Sequence, residues 1–246
     1  MYPMTIALNL ILPLLILLGG TNARPATPAH KQPPVRIERC DSVTVYYPDY
    51  TRIDLATGTM PAKDEKGVIF VCAASFTGEC LDEFRHTNIA GHHVSSGIFH
   101  EGYKCGPNNG VFTWSAKRGW HFYNYSHKNS ETPLRTVAKE GGMGFCQSLL
   151  FHEGKQFKGC FKPGASNRYR ALCEIGGELC VVDCARSLPF GSFMSALKKL
   201  GVRNAVYCDM GTGWNYSWYR KEDGSVKEIF DTPGRYTTNW IVFYRE

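Results

Sequence analysis

A lone carboxylate at the end of an apolar run is the first place where this sequence suggests chemistry. In "NAVYCDMGTGWNYSWYR", Asn204 to Arg220, the run Ala205-Val206-Tyr207-Cys208 meets Asp209. Gly211 and Gly213 follow, then Trp214, Tyr216, Trp218 and Tyr219. A carboxylate so placed can activate water, and the glycines let backbone approach a ligand closely. The rings would stack on a sugar face. The same residues also make an ordinary turn, with Asp209 capping it and the rings packed in a core. Strand alternation puts Tyr216 and Trp218 on one face and Ser217 and Tyr219 on the other.

Two other groups carry functional side chains. Arg168 and Arg170 open an apolar run, where a guanidinium can fork onto a phosphate or carboxylate or form a surface ion pair. "GHHVSSG", 91–97, holds His92, His93, Ser95 and Ser96 between glycines. It reads as a polar loop facing substrate or as a solvated loop. No G-x-S-x-G, H-E-x-x-H or phosphate-binding loop occurs. Cys180 and Cys184 have C-x3-C spacing, but no second ligand pair follows at a zinc-ribbon distance. Neither a metal nor a cofactor is expected.

The elements that must position these groups are mostly short strands joined by turns. Val68 to Ala73 reads as a buried strand. Val111–Ser115 and Trp120–Asn124 flank a hairpin turn, as do Ser148–His152 and Lys155–Lys158, and Tyr216–Arg220 and Ser225–Phe230. Asn239 to Tyr244 is a last strand rich in aromatic and β-branched residues. Ala171–Ile175 and Glu178–Val182 flank Gly176-Gly177, a pair that supplies the positive φ of a two-residue turn. That register sets Cys173 opposite Cys180, close enough for a disulfide or for two neighbouring thiols. One helix is signalled over 193–200. Ser192 is its N-cap, Phe193, Met194, Ala196, Leu197 and Leu200 form its apolar stripe, and Gly201 ends it. Hairpin, helix and strand then follow in order, and Asp209 sits at the strand's C-terminal end. The expected fold class is α+β: a single domain whose mixed β-sheet is built largely of hairpins with a few packed helices.

The 246 residues are 43% apolar and 13% aromatic, enough for a sizeable core. The net charge of +6 is spread along the chain, which favours solubility over a nucleic-acid groove. Ile6 to Leu18 is almost wholly apolar and small residues precede Ala23, the pattern of a signal peptide over 1–23. Residues 24–36 hold four prolines and read as a linker, leaving 37–246 as the domain. No second apolar segment of spanning length follows, so no membrane span is expected after cleavage, and the chain should be secreted or periplasmic. All ten cysteines lie after the signal. In an exported chain that favours disulfides, although several sit in apolar runs that equally suit buried free thiols.

Three blocks, in order, resemble the phosphodiester glycosidase domain family. "VIFVCAASFTGECL" with "HHVSSGIFHEG" is similar to its strand and glycine-rich loop. "GGMGFCQSLLFHEGK" is similar to its small-residue loop and hairpin. "RYRALCEIGGELCVVDCARSLPFGSFMSALKKLGVRNAVYCDMG" is similar to its Arg-led hairpin, helix and Asp-Gly-Gly end. The likeness spans roughly residues 65 to 220 and extends to uncharacterised exported bacterial versions. Met210 stands where the family has a glycine, and Ser75 or Thr77 stands near the position of its loop asparagine. The resemblance implies an exported hydrolase that cleaves a sugar-1-phosphodiester on glycans or cell-envelope polymers. It implies Asp209 as the carboxylate, Arg170 (or Arg168) as the phosphate grip and His92 (or His93) as a proton carrier. Ser75, Thr77, Ser95, Ser96, Gly211, Trp214 and Tyr216 would bind a glycan or sugar-phosphate substrate. The rival reading is a carbohydrate-binding module of the same fold without turnover, and a third is a disulfide-stapled envelope protein.

Overall fold

The computed structural model describes residues 32–78, 81–104, 109–184, 186–211, 215–230 and 238–246. The signal-like segment, most of the linker, Cys80, Cys105, Gly213 and Trp214 lie outside the described residues. The strands, in chain order, begin with β1 (Val35–Cys40), β2 (Val43–Pro48), β3 (Arg52–Thr57), β4 (Val68–Ala73), β5 (His93–Ser95) and β6 (Ile98–His100). Next come β7 (Gly110–Ser115), β8 (Gly119–Asn124), helix α1 (Glu131–Lys139), β9 (Met143–Gln147), β10 (Leu149–His152), β11 (Lys155–Gln156) and β12 (Ser166–Asn167). The chain continues through β13 (Arg170–Ile175), β14 (Glu178–Cys184), β15 (Leu188–Pro189), helix α2 (Phe190–Lys199) and β16 (Val202–Cys208). It closes with β17 (Ser217–Arg220), β18 (Val226–Phe230) and β19 (Asn239–Tyr244).

These strands form a seven-stranded sheet, β1-β2-β14-β13-β16-β10-β11, two five-stranded sheets, β18-β17-β4-β19-β3 and β6-β5-β9-β7-β8, and a two-stranded β12-β15 pair. Every pairing between these strands is antiparallel. The fold is therefore mainly β, which corrects the α+β expectation of a mixed sheet. The reason lies in the α2 crossover. It returns the chain in the direction of β14, as a parallel unit would. But β13 lies between β14 and β16 and pairs antiparallel with both, so no parallel neighbours form.

The hairpin turns are the main source of that antiparallel order. Gly176 and Gly177 have φ of +60° and +84°, and their register sets Cys173 opposite Cys180. The two sulfurs are not joined. Cys180 Sγ donates to the Cys173 carbonyl at 3.6 Å. Cys40, Cys72, Cys146, Cys184 and Cys208 are also free thiols. Burial pushes the Cys146 thiol up to about 12 and the Cys184 thiol to about 11.

Helix α2 begins earlier than the sequence predicts. Its N-cap is Pro189, and Ser192 lies inside the first turn. Phe190, buried beside Phe193, Met194 and Leu197, extends the apolar stripe by one turn and draws the start back. Gly201, at φ +73°, ends it as expected. Helix α1 carries only two buried residues, Leu134 and Val137, too few for a sequence signal.

One core is shared by the three sheets. Leu172, Val206 and Cys208 come from the seven-stranded sheet, Phe70, Cys72 and Ile241 from the second, and Phe112, Met143 and Phe145 from the third. Helix α2 covers the outer face of the first sheet with Phe190, Phe193 and Leu197, and α1 covers the third with Leu134 and Val137. No helix among the described residues is long and apolar enough to cross a membrane.

Gly144 marks a tight seat of α1. A Cβ there would lie 2.7 Å from Leu134 Cδ2 and 2.8 Å from the Phe112 carbonyl oxygen. Gly144→Ala should therefore lower stability by about 1–3 kcal/mol, read as a shift in the denaturant midpoint. An unchanged midpoint would show that α1 yields freely.

Candidate active site at the end of strand β16

The candidate site is a junction of strand ends. Asp209 directly follows β16, and its backbone N–H donates to the Ala74 carbonyl at 3.0 Å, just past β4. The Gln147 amide reaches the same carbonyl at 3.4 Å from the end of β9. Ser75 is pinned from three sides. Its N–H donates to Asn239 Oδ1 at 2.6 Å, and its hydroxyl lies 2.6 Å from the Ala90 carbonyl and 2.7 Å from that of Cys146. Asn239 Nδ2 donates back to the Ser75 carbonyl at 3.1 Å. The Asn239 side chain thus pairs both backbone groups of Ser75, as a neighbouring strand would. Thr77 and Thr238 share a hydroxyl contact of 3.1 Å beside this pair.

Asp209 is the titratable group of this junction. Its residue is only 7% exposed. Burial pushes its carboxyl up to about 6, against the opposing pull of the Gly211 and Met210 backbone N–H groups. Gly211 N donates to Oδ1 at 3.0 Å. Among the described residues no charged side chain contributes to the shift. Tyr207, on the same strand, feels the carboxylate and rises well above its usual range, chiefly through its own burial. Its ring packs 5.6 Å from Phe76. Met210 turns its side chain into the core under α2.

Arg170 is fully buried. Its Nε donates to Asp183 Oδ2 at 2.9 Å, Nη2 binds the same oxygen, and Nη2 also donates to Ser217 Oγ at 2.8 Å. Nη1 has no hydrogen-bond partner among the described residues. Burial works against the guanidinium charge, and the facing Asp183 carboxylate outweighs it, so the group is held firmly protonated. Arg170 therefore answers Asp183 and not Asp209. Arg168, by contrast, is exposed, with Cζ 4.6 Å from the Phe230 ring.

The remaining sequence-chosen residues scatter. His92 packs 5.5 Å from Phe99, with Nε2 3.9 Å from Glu131 on α1. Ser95 bonds the Leu55 carbonyl at 2.8 Å and, with Ser96, lines a separate cavity against β3. Tyr216 and Trp218 are buried in a cluster with Trp240 and Val242, so these described rings are core, not platform. Trp214 is outside the described residues. Ser75, Thr77, Asp209 and Gly211 are brought to the junction. Asn239, Gln147 and Ser148 were missed by sequence reasoning. The one available signal was a polar amide opening an otherwise apolar strand, "NWIVFY". Ser148, 1% exposed with an unpartnered hydroxyl among the described residues, accepts the Tyr207 N–H at its carbonyl, 2.9 Å away.

His93 belongs to a second titratable group, the wall behind Ala90. His86 Nδ1 lies 2.9 Å from His93 Nε2, and the His86 and His100 rings stack 3.4 Å apart. Burial lowers all three, His93 to about 3. A lowered pKa in the folded state leaves stability fully present above the unfolded value of about 6.5 and removes it as pH falls toward the folded value. The histidines' contribution to unfolding free energy should therefore drop between pH 6.5 and 4, and His93→Asn should lose less stability than wild type over that range. An equal loss in the variant would remove the histidines as its source. Separately, Asp183→Asn should cost about 3–5 kcal/mol by leaving Arg170 buried without its counter-charge. A near-neutral effect in a denaturant titration would mean Arg170 has another anion to answer.

No protein-family model matches this sequence, and no curated protein matches it. Solved structures do. One is the zebrafish N-acetylglucosamine-1-phosphodiester α-N-acetylglucosaminidase catalytic domain, auto-inhibited by its pro-peptide. It is 12% identical, with 87% of this chain and 83% of that chain covered and a TM-score of 0.57. Another is a hypothetical protein from Synechocystis, also 12% identical, with 86% of this chain and 61% of that chain covered and a TM-score of 0.54. At such identity the likeness is one of fold: this chain folds like that catalytic domain.

Proposed function

We propose that the chain is an exported hydrolase that splits a sugar from a phosphodiester at the anomeric carbon, with Asp209 as its base. The observation that carries this reading is the buried Asp209 carboxylate, shifted to about 6 by burial, at a strand-end junction. The fold shared with a phosphodiester glycosidase domain supports it. In the reaction, the water oxygen bonds to the anomeric carbon while that carbon's bond to the phosphate oxygen breaks. The electron pair leaves with the phosphate. A phosphate oxygen is a good leaving group, so it needs no paired carboxylic acid to protonate it, unlike an ordinary alkoxide. Asp209 takes the proton from water. Its raised pKa makes it a stronger base than an ordinary carboxylate while leaving it ionised at neutral pH.

The phosphate needs a cation, and Arg168 suits that role better than Arg170. Arg168 is exposed, whereas Arg170 is committed to Asp183. Arg168 lies two residues before the Arg170–Cys208 pair that leads into Asp209, and its charge reaches the neighbouring Asp183 carboxylate. Ser75 and Asn239 shape the floor through their mutual bonds. His92 has no part in this reading. A non-catalytic carbohydrate-binding module remains the rival, favoured by the withdrawal of Arg170 into the core.

Asp209→Asn should lower hydrolysis of a sugar-1-phosphodiester by about 10²–10⁴-fold. Wild-type rates should fall as pH drops below about 6, where Asp209 gains its proton. Stability moves the other way. A folded pKa raised above the unfolded value of about 3.9 gives stability that is fully present below that value and lost as pH rises through the folded one. The Asn variant should therefore be more stable than wild type above pH 6, by thermal unfolding. Full turnover in Asp209→Asn would sink the assignment, and saturable binding without turnover in wild type would favour the rival.

A further inference from the structure

A second cleft lies on the outer face of the third sheet, between the edge strand β8 and helix α1. It encloses about 200 Å³ and is lined by Thr113, Ser115, Arg118, Tyr123, Tyr125 and Thr136, among others. Alternation along the strand brings His121, Tyr123 and Tyr125 to one side. Their rings form a near-parallel series. His121 and Tyr123 are 6.1 Å apart at 18°, and Tyr123 and Tyr125 are 5.4 Å apart at 15°. Tyr125, at the end of the series, is 38% exposed. Tyr123 is steadied from below by packing against Leu134 and Val137.

The polar side of the cleft is equally fixed. Arg118 Nε donates to Glu140 Oε1 at 2.7 Å, and Ser115 Oγ donates to Glu140 Oε2 at 2.8 Å. Arg118 is therefore neutralised on site and still half exposed, with donors left for a ligand. The cleft combines aromatic rings, several hydroxyls and an internally balanced ion pair. That chemistry suits a neutral ligand with an apolar face and a rim of hydroxyls, and not an anion. The volume is below the ~300 Å³ at the lower end of drug-sized pockets, so it admits one ring and not a chain.

We propose that this cleft is a saccharide subsite that takes a single pyranose ring, stacked on Tyr125 and hydrogen-bonded by Arg118 and the threonines. It is independent of Asp209, which sits at the strand-end junction on different elements. Its role would be to hold a glycan on which chemistry occurs elsewhere.

The test is ligand-observed NMR on the full chain with methyl glycosides of glucose, galactose, mannose and N-acetylglucosamine. At least one should bind with a dissociation constant of about 1–10 mM. Tyr125→Ala should weaken it by about tenfold or more, while Tyr125→Trp keeps it. Tyr125 is exposed enough for the substitution to leave the fold intact, which a denaturant titration checks, and Arg118→Ala gives a second variant on the polar side. Asp209→Asn should bind these glycosides as wild type does, even if it abolishes turnover, so the subsite and the hydrolase reading fail separately. No binding by any glycoside, binding that survives both Tyr125→Ala and Arg118→Ala, or tighter binding of adenosine to the same cleft would overturn the proposal.

Discussion

The structure turns on one charge carried into its core. Arg170 brings a guanidinium to the interior where the seven-stranded sheet meets its neighbour. Asp183, directly across the β13–β14 pair, answers it, and Ser217 reaches it from β17 of the second sheet. A buried ion pair adds little net stability over apolar packing, because desolvation consumes most of the attraction. Its force is in what it forbids. A one-residue slip of β13 would turn the guanidinium to the face under α2, away from Asp183. Two sheets are thereby tied at one register, and the strand that ends in Asp209 is held beside them.

That register decides what the far end of β16 can be. Once Cys208 is fixed opposite Arg170, Asp209 leaves the sheet between Ala74 and the Tyr207–Phe76 contact. Among the described residues no cation acts on it, and the Gly211 and Met210 backbone N–H groups offset part of its desolvation. A stability-driven design would not place an unpaired acid at such a point, since burial disfavours its charge. Such a cost is characteristic of groups kept for chemistry. Met210 does not obstruct it. Its side chain anchors under α2, and only its backbone faces the carboxylate. Met210 is thus a core residue whose main chain still serves the acid.

Much of this was readable beforehand where the information is local. The Gly176-Gly177 turn, the Cys173–Cys180 register, the stop at Gly201 and the last strand all follow from backbone φ preferences and period-two patterning. The α2 start was misjudged because Phe190 gains from burial in a core whose position no local rule contains. The same holds for Tyr216 and Trp218, which pack as core. Alternation correctly paired Tyr216 with Trp218, but their burial against Trp240 and Val242, more than twenty residues away, was beyond any local rule. The mixed-sheet expectation failed because a crossover helix dictates strand direction but not which strand fills the gap it leaves.

The hairpins, the position of Asp209 at a strand end and the apolar stripe of α2 could be read from the chain alone, because they depend on neighbours within a few residues. It took the packed fold to show that Arg170 pairs with Asp183 in the core, that Ser95 and Ser96 face another cavity, and that Asn239 completes the junction at Ser75. Each of these is a contact between residues far apart in the chain, formed only when sheets pack and desolvation leaves a charge or an amide one partner within reach.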